Sequence, residues 1–248
     1  MFSLLALSLT LLQDASDFSS CHADYENYWA TVRVDPVIAS YPEVYETLGI
    51  CSDEEFEEGR TRGGDEALNW QVVWDALSDE TPLLSLMRGH LLWDETSEFQ
   101  FGVTTFIWDI ERRSVVQLAD LFEPAQREHA LRAILTHAEL DAQVQIPSHG
   151  GDEVSGFWET NHHWPTRTTL LPSTQDASLG GLALWYSDTE LGTSSNTGTV
   201  LLIVPQAAFA DYLIADYKPL FAGEPRPHPE FADRMCDSTA LVGCPETE

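Results

Sequence analysis

The sequence predicts an α+β domain in which an antiparallel sheet, made of a meander and a C-terminal strand pair, packs against two main helices. Three observations carry that expectation. The runs "ALNWQVVWDAL", "LLSLMRGHLLWDE" and "FQFGVTTFIWDI" are rich in β-branched and aromatic residues and are separated only by short polar spacers, the signature of antiparallel neighbours. From Pro124 to about Val144 the apolar period becomes helical, through Ala130, Leu131, Ile134, Leu135, Ala138 and Leu140. Two further strand-like runs, "GGLALWYSD" and "TGTVLLIVP", then precede a second helical stretch opened by Pro205.

Taken in order, the chain opens on an apolar run, Phe2 to Leu12, with Ala15 or Ser16 near a cleavage point. Residues 1–15 read as a signal peptide, atypical in having no basic n-region, and place the chain in the periplasm or outside the cell. The run is too short to cross a bilayer as a helix, so no integral membrane span is expected. A strand at "YWATVRVDPVIASYP" is interrupted by Pro36 and Pro42. "EVYETLGICSDEEFEEGR" has helical spacing through Val44, Leu48 and Phe56, broken at Gly49, and its carboxylates read as a solvated face. "GRTRGGDE" reads as a loop before the meander. After the helix at Pro124, "IPSHGGDEVSG" breaks the pattern and a strand is expected to start beyond Pro165. The expected domain spans 16–223, with an N-terminal part over 33–110 and a C-terminal part over 111–223. A Pro-rich, Cys-containing tail follows at 224–248.

Composition narrows the function classes. The 248 residues include 41 acidic and 12 basic side chains, a formal net charge of -29. Such a surface repels phosphate backbones, which excludes nucleic acid as a partner, and it attracts cationic proteins. Four cysteines, Cys21, Cys51, Cys236 and Cys244, lie at the two ends. In an exported chain an even count implies two disulfides, and three pairings are open; Cys21–Cys51 with Cys236–Cys244 is the local one. No Cys-x-x-Cys pair supports a zinc site.

Signatures of chemistry are scarce. There is no Gly-x-Ser-x-Gly elbow, no Walker loop and no Gly-x-Gly-x-x-Gly, so no catalytic residue, metal or cofactor is assigned. "WETNHHWP" is the one stretch with chemical promise. Adjacent His162 and His163 point to opposite faces if extended, so only one of them joins a given site. Trp158 and Trp164 flank them and are suited to a carbohydrate or protein contact, whereas Trp70, Trp74, Trp93, Trp108 and Trp185 lie in strand runs and belong to the core.

The pattern "TPLLSLMRGHLLWDE…FGVTTFIWDIERRSVVQLADLFEP" resembles the extracytoplasmic domain of RsiV-type anti-sigma factors and of the non-catalytic part of PdaC-type peptidoglycan deacetylases. The residues that carry the likeness are Ser85, Asp109, Val116, Leu118, Asp120, Leu121 and Phe122. Downstream, "GLALWYSD…GTVLLIVPQAAFADYLIADYKPLFAG", with Pro205 closing its last strand, is similar to the end of that domain. The chain departs from the family at "DETSEFQFG" and at "TELGTSSN". The resemblance implies an exported domain that binds rather than catalyses; the RsiV type binds lysozyme, a cationic protein. The expected partner is therefore a cell-envelope ligand, either such a protein or a peptidoglycan component. An envelope hydrolase or deacetylase using His162 or His163, and a purely structural envelope domain, are the alternatives.

Overall fold

The computed structural model describes residues 19–25, 28–63, 68–79, 81–94, 99–145, 163–187, 190–191 and 199–226. The fold is α+β. Six strands form one sheet in the order β1 (Ser19–Tyr25), β2 (Tyr28–Val34), β3 (Leu68–Ser78), β4 (Leu83–Asp94), β5 (Phe99–Asp109) and β6 (Ser114–Val116). A second, antiparallel sheet has the order β7 (Thr168–Pro172), β8 (Leu179–Ser187) and β9 (Thr199–Pro205). The chain clusters into two compact units. One takes the described residues up to Ala76 and those from Met87 to Thr104; the other takes Leu77–Leu86 and everything from Thr105 onward.

In the first unit β1 and β2 pair antiparallel over their whole length, from Ser19↔Val34 to Tyr25↔Tyr28. β1 was not legible in the sequence: "SSCHADY" is poor in β formers, and of Ser19 to Asp24 Cys21 and Ala23 alone are buried. β2 runs parallel to β3, from Tyr28↔Leu68 to Val34↔Trp74. A parallel pair needs a crossover, and three helices supply it: α1 (Pro36–Ala39), α2 (Pro42–Leu48) and α3 (Asp53–Gly63). Each start and stop has a local cause. Asp35 caps α1 by accepting from the Val37 amide at 2.8 Å, with Pro36 in the first turn. Gly49, at φ 64, closes α2 in the left-handed conformation that glycine tolerates best. Ser52 accepts from the Glu55 amide at the head of α3, while the Glu55 carboxylate reaches back to the Cys51 amide at 2.8 Å, a variant of the capping box. α3 continues through Gly63, over residues expected to form a loop.

The second unit holds the larger core. The β5–β6 hairpin turns through Ile110 to Arg113, with Arg113 at φ 51. Two 3-10 turns, Leu118–Leu121 and Pro124–Gln126, lead into α4 (Arg127–Gln145). Ala130, Ile134, Leu135, Ala138 and Ala142 line its buried face and meet Leu182, Leu184, Leu202 and Val204 of the three-stranded sheet in one core cluster. Beyond Pro205 the expected second helix is replaced by three 3-10 turns, Gln206–Ala208, Ala210–Tyr212 and Lys218–Leu220. Backbone pairing to the segment before α4 competes with helix here. Glu123 N donates to Tyr212 O and Ile214 N to Leu121 O, both at 3.0 Å, and Pro219 has no amide to give.

Candidate functional site

A cleft of about 450 Å³ opens in the second unit, within the usual size of small-ligand sites. Four segments line it: 105–107 of β5, 115–119 leading out of β6, 164–166, and Thr168 at the start of β7. Trp164 is its largest side chain. The indole stacks on Phe122, with centroids 5.3 Å apart and planes at 23°. Phe122 is fully buried and meets Phe209 edge-on at 5.8 Å, and Phe209 meets Phe221 in the same way at 5.5 Å. Trp164 is thus the partly exposed end of an aromatic ladder rooted in the core.

The polar groups that the described residues bring to the cleft are all neutral. Thr105 Oγ1 accepts from the Thr168 amide at 2.7 Å, which leaves its own proton free to donate. Thr168 Oγ1 points its proton at Pro165 O at 3.4 Å and keeps acceptor capacity. Gln117 and Thr166 add an amide and a hydroxyl at exposed positions. Among the described lining residues there is no Asp, Glu, His, Lys, Arg or Cys. This arrangement can bind and orient an uncharged molecule. Among the described lining residues none can serve as a general acid or base.

Of the residues singled out by the sequence, Trp164 and Leu118 face the cleft. His163 is exposed beside Trp164 and is not part of the lining. Trp158, His162, Cys236 and Cys244 lie outside the described residues. Cys21 and Cys51, one of the pairings left open by the sequence, are joined by a disulfide. Leu121 and Phe122 are fully buried, and Pro205 ends β9 opposite Gly181. The threonines and Gln117 escaped sequence reasoning because isolated neutral residues carry no spacing signal.

Ser85, Asp109 and Asp120 have structural partners. Ser85 is fully buried and its Oγ accepts from the Leu170 amide at 2.8 Å. Asp109 is buried, accepting from the Arg112 amide and from the Tyr217 hydroxyl, both at 2.9 Å. Arg112 also donates to the Tyr217 oxygen and to Asp216, each at 2.7 Å, and lies over the Tyr217 ring. Burial, reinforced by the Asp109 carboxylate, pushes the Tyr217 phenol up to about 12 despite Arg112. The charged tip of the hairpin is therefore a clamp on the C-terminal segment. Asp120 pairs with Arg127 at 2.8 Å on the surface and ties the 3-10 turn to the start of α4.

A second polar centre lies in the first unit. Glu55 is buried and its carboxylate accepts from Trp74 Nε1 at 2.9 Å, Arg88 Nε at 3.0 Å and the Cys51 amide. Arg88 also reaches Glu58 at 2.8 Å and stands over the Trp70 ring. The acidic run of α3 is thus only partly a solvated face: Asp53 and Glu54 are exposed, whereas Glu55 and Glu58 neutralise a buried arginine. With its carboxylate saturated, this pair is a structural joint. Among the described residues no three His, Cys, Asp or Glu side chains converge as a metal site, and no helix is long and apolar enough to cross a membrane.

The class defined by this fold is an α+β domain with a six-stranded, mostly antiparallel sheet and a separate three-stranded sheet. A crystal structure of a DUF3298 family protein from Pseudomonas aeruginosa PAO1 shares it, with a TM-score of 0.55 and 16% identity, over 84% of this chain and 95% of that one. A DUF3298 family member from Bacteroides fragilis NCTC 9343 aligns at a TM-score of 0.49 and 14% identity, over 82% of this chain and 95% of that one. The fold is that of DUF3298 proteins, a bacterial domain of unknown function. No family model and no curated protein matches the chain by sequence.

Proposed function

We propose that the protein is an exported cell-envelope binding protein of the RsiV-like kind, and that the cleft beside Trp164 receives part of its ligand. One observation carries this reading: an indole stacked on a buried phenylalanine faces a cleft whose polar groups, among the described residues, are all neutral and unsuited to acid–base work. The Cys21–Cys51 disulfide supports export, because such bonds persist in oxidising compartments. The DUF3298-like fold is consistent with an envelope domain. The ligand is a peptidoglycan component or a cationic envelope-active protein such as lysozyme, which the net charge of -29 attracts.

The test is a pull-down of the full chain with lysozyme and, separately, with insoluble peptidoglycan, at low and at high salt. Retention on lysozyme that fades with salt is expected if charge steers the encounter. Absence of retention on both materials at low ionic strength removes the reading.

A further inference from the structure

We infer that the Trp164 cleft is a saccharide subsite, built for an uncharged pyranose ring of an envelope glycan. The inference rests on the reading of the cleft as a binding site and names the chemical class of its ligand. Three features of the cleft point to a sugar. The Trp164 indole, backed by Phe122, offers a flat apolar platform of the kind against which the C–H face of a pyranose packs. Ile107, Val116 and Leu118 extend the apolar lining. Around it stand Thr105 with a free donor, Thr168 with a free acceptor, and the exposed Gln117, whose side chain makes no hydrogen bond among the described residues. Sugar hydroxyls both donate and accept, so this mixed neutral set satisfies them.

The charge of the cleft makes the choice sharper. In a chain with 41 acidic residues, no acidic side chain is found among the described residues of this lining. A cationic or anionic ligand entering here would lose water without gaining a counter-charge, which is unfavourable. An extended peptide fits poorly as well. β6, an edge strand that lines the cleft, has only three residues before the chain turns into a 3-10 helix, too few to add a partner strand along its edge, and the outer edge of β7 is already engaged by Thr105 and Ser85.

The full chain is titrated calorimetrically with the neutral tetramer of β-1,4-linked N-acetylglucosamine, with its de-N-acetylated cationic counterpart, and with a peptidoglycan stem peptide lacking sugar. The neutral tetramer is expected to bind with an affinity that salt does not change. Trp164→Ala is expected to weaken it about tenfold or more, and Trp164→Phe to restore part of the loss. Because Trp164 also packs on Phe122, Gln117→Ala serves as a second, surface variant, and it too is expected to weaken the neutral tetramer. Three outcomes overturn the inference: salt-sensitive preference for the cationic tetramer, binding of the stem peptide that depends on Trp164, or neutral-tetramer binding unaffected by both substitutions. If no tetramer binds while peptidoglycan or lysozyme is still retained in the pull-down, the saccharide subsite falls and the binding reading stands. If retention is absent as well, both fall.

Discussion

At the residue scale, Gly102 and His90 show how a single missing side chain is used. The His90 ring lies over Gly102 from the neighbouring strand and stacks against Trp70 with centroids 4.9 Å apart. A Cβ at residue 102 would run into the imidazole, which explains a glycine inside a strand otherwise rich in β-branched and aromatic residues. Gly102→Ala should therefore lower stability by about 1–3 kcal/mol in a denaturant titration, and the cost should shrink in a His90→Ala background, where the ring is gone. Tyr217 gives a pH signature. The folded protein holds its phenolic proton more tightly than the unfolded chain, so its contribution is complete below the ordinary tyrosine value of about 10. That contribution is lost as pH rises through about 12. Burial also pushes Tyr186 up to about 12, so two groups load the same window. Stability measured across this alkaline range should fall with pH, and Tyr217→Phe should make the fall shallower.

At the scale of elements, the three-stranded sheet has two edges, and side chains from elsewhere in its unit reach both. The Thr168 and Leu170 amides on the outer edge of β7 donate to Thr105 Oγ1 and Ser85 Oγ. On the outer edge of β9, the Ile203 amide donates to the Asp141 carboxylate of α4 at 2.7 Å. Edge amides left bare invite pairing with other chains. Ser85 thus has a physical role that its place in the sequence did not disclose. Ser85→Ala strands a buried amide and should cost about 1–3 kcal/mol. Hydrogen exchange at the Leu170 amide should accelerate selectively; unchanged protection there would contradict the assignment. The segment beyond Pro205 teaches a related lesson. Its apolar spacing reads as helical, but the Leu121 and Tyr212 carbonyls accept amides from across the unit, and 3-10 turns result.

At the scale of the whole molecule, a formal net charge of -29 dominates. Self-repulsion opposes compactness and is screened by salt. The thermal midpoint should rise between low salt and about 1 M, where the Debye length shrinks from tens of ångströms to about 3 Å; a midpoint that does not move would mean the carboxylates are already locally compensated. Some are: Glu55 and Glu58 by Arg88, and Asp109 and Asp216 by Arg112. The acidic run of α3 looked uniform as a sequence because the arginine that divides it into buried and solvated halves lies 33 residues away from Glu55.

By itself the sequence determined what depends on local periodicity: the α+β class, the meander, the long helix after Pro124, the closing strands and the break at Gly49. It also pointed to Trp164. Tertiary structure alone decided the parallel β2–β3 pairing and the 3-10 course of the C-terminal segment, since both follow from partners distant along the chain. The cleft belongs with them. Its threonines and glutamine line one cleft only where β5, β6 and the entry to β7 converge, and neutral hydrogen-bonding groups leave no pattern in a chain until a fold brings them together.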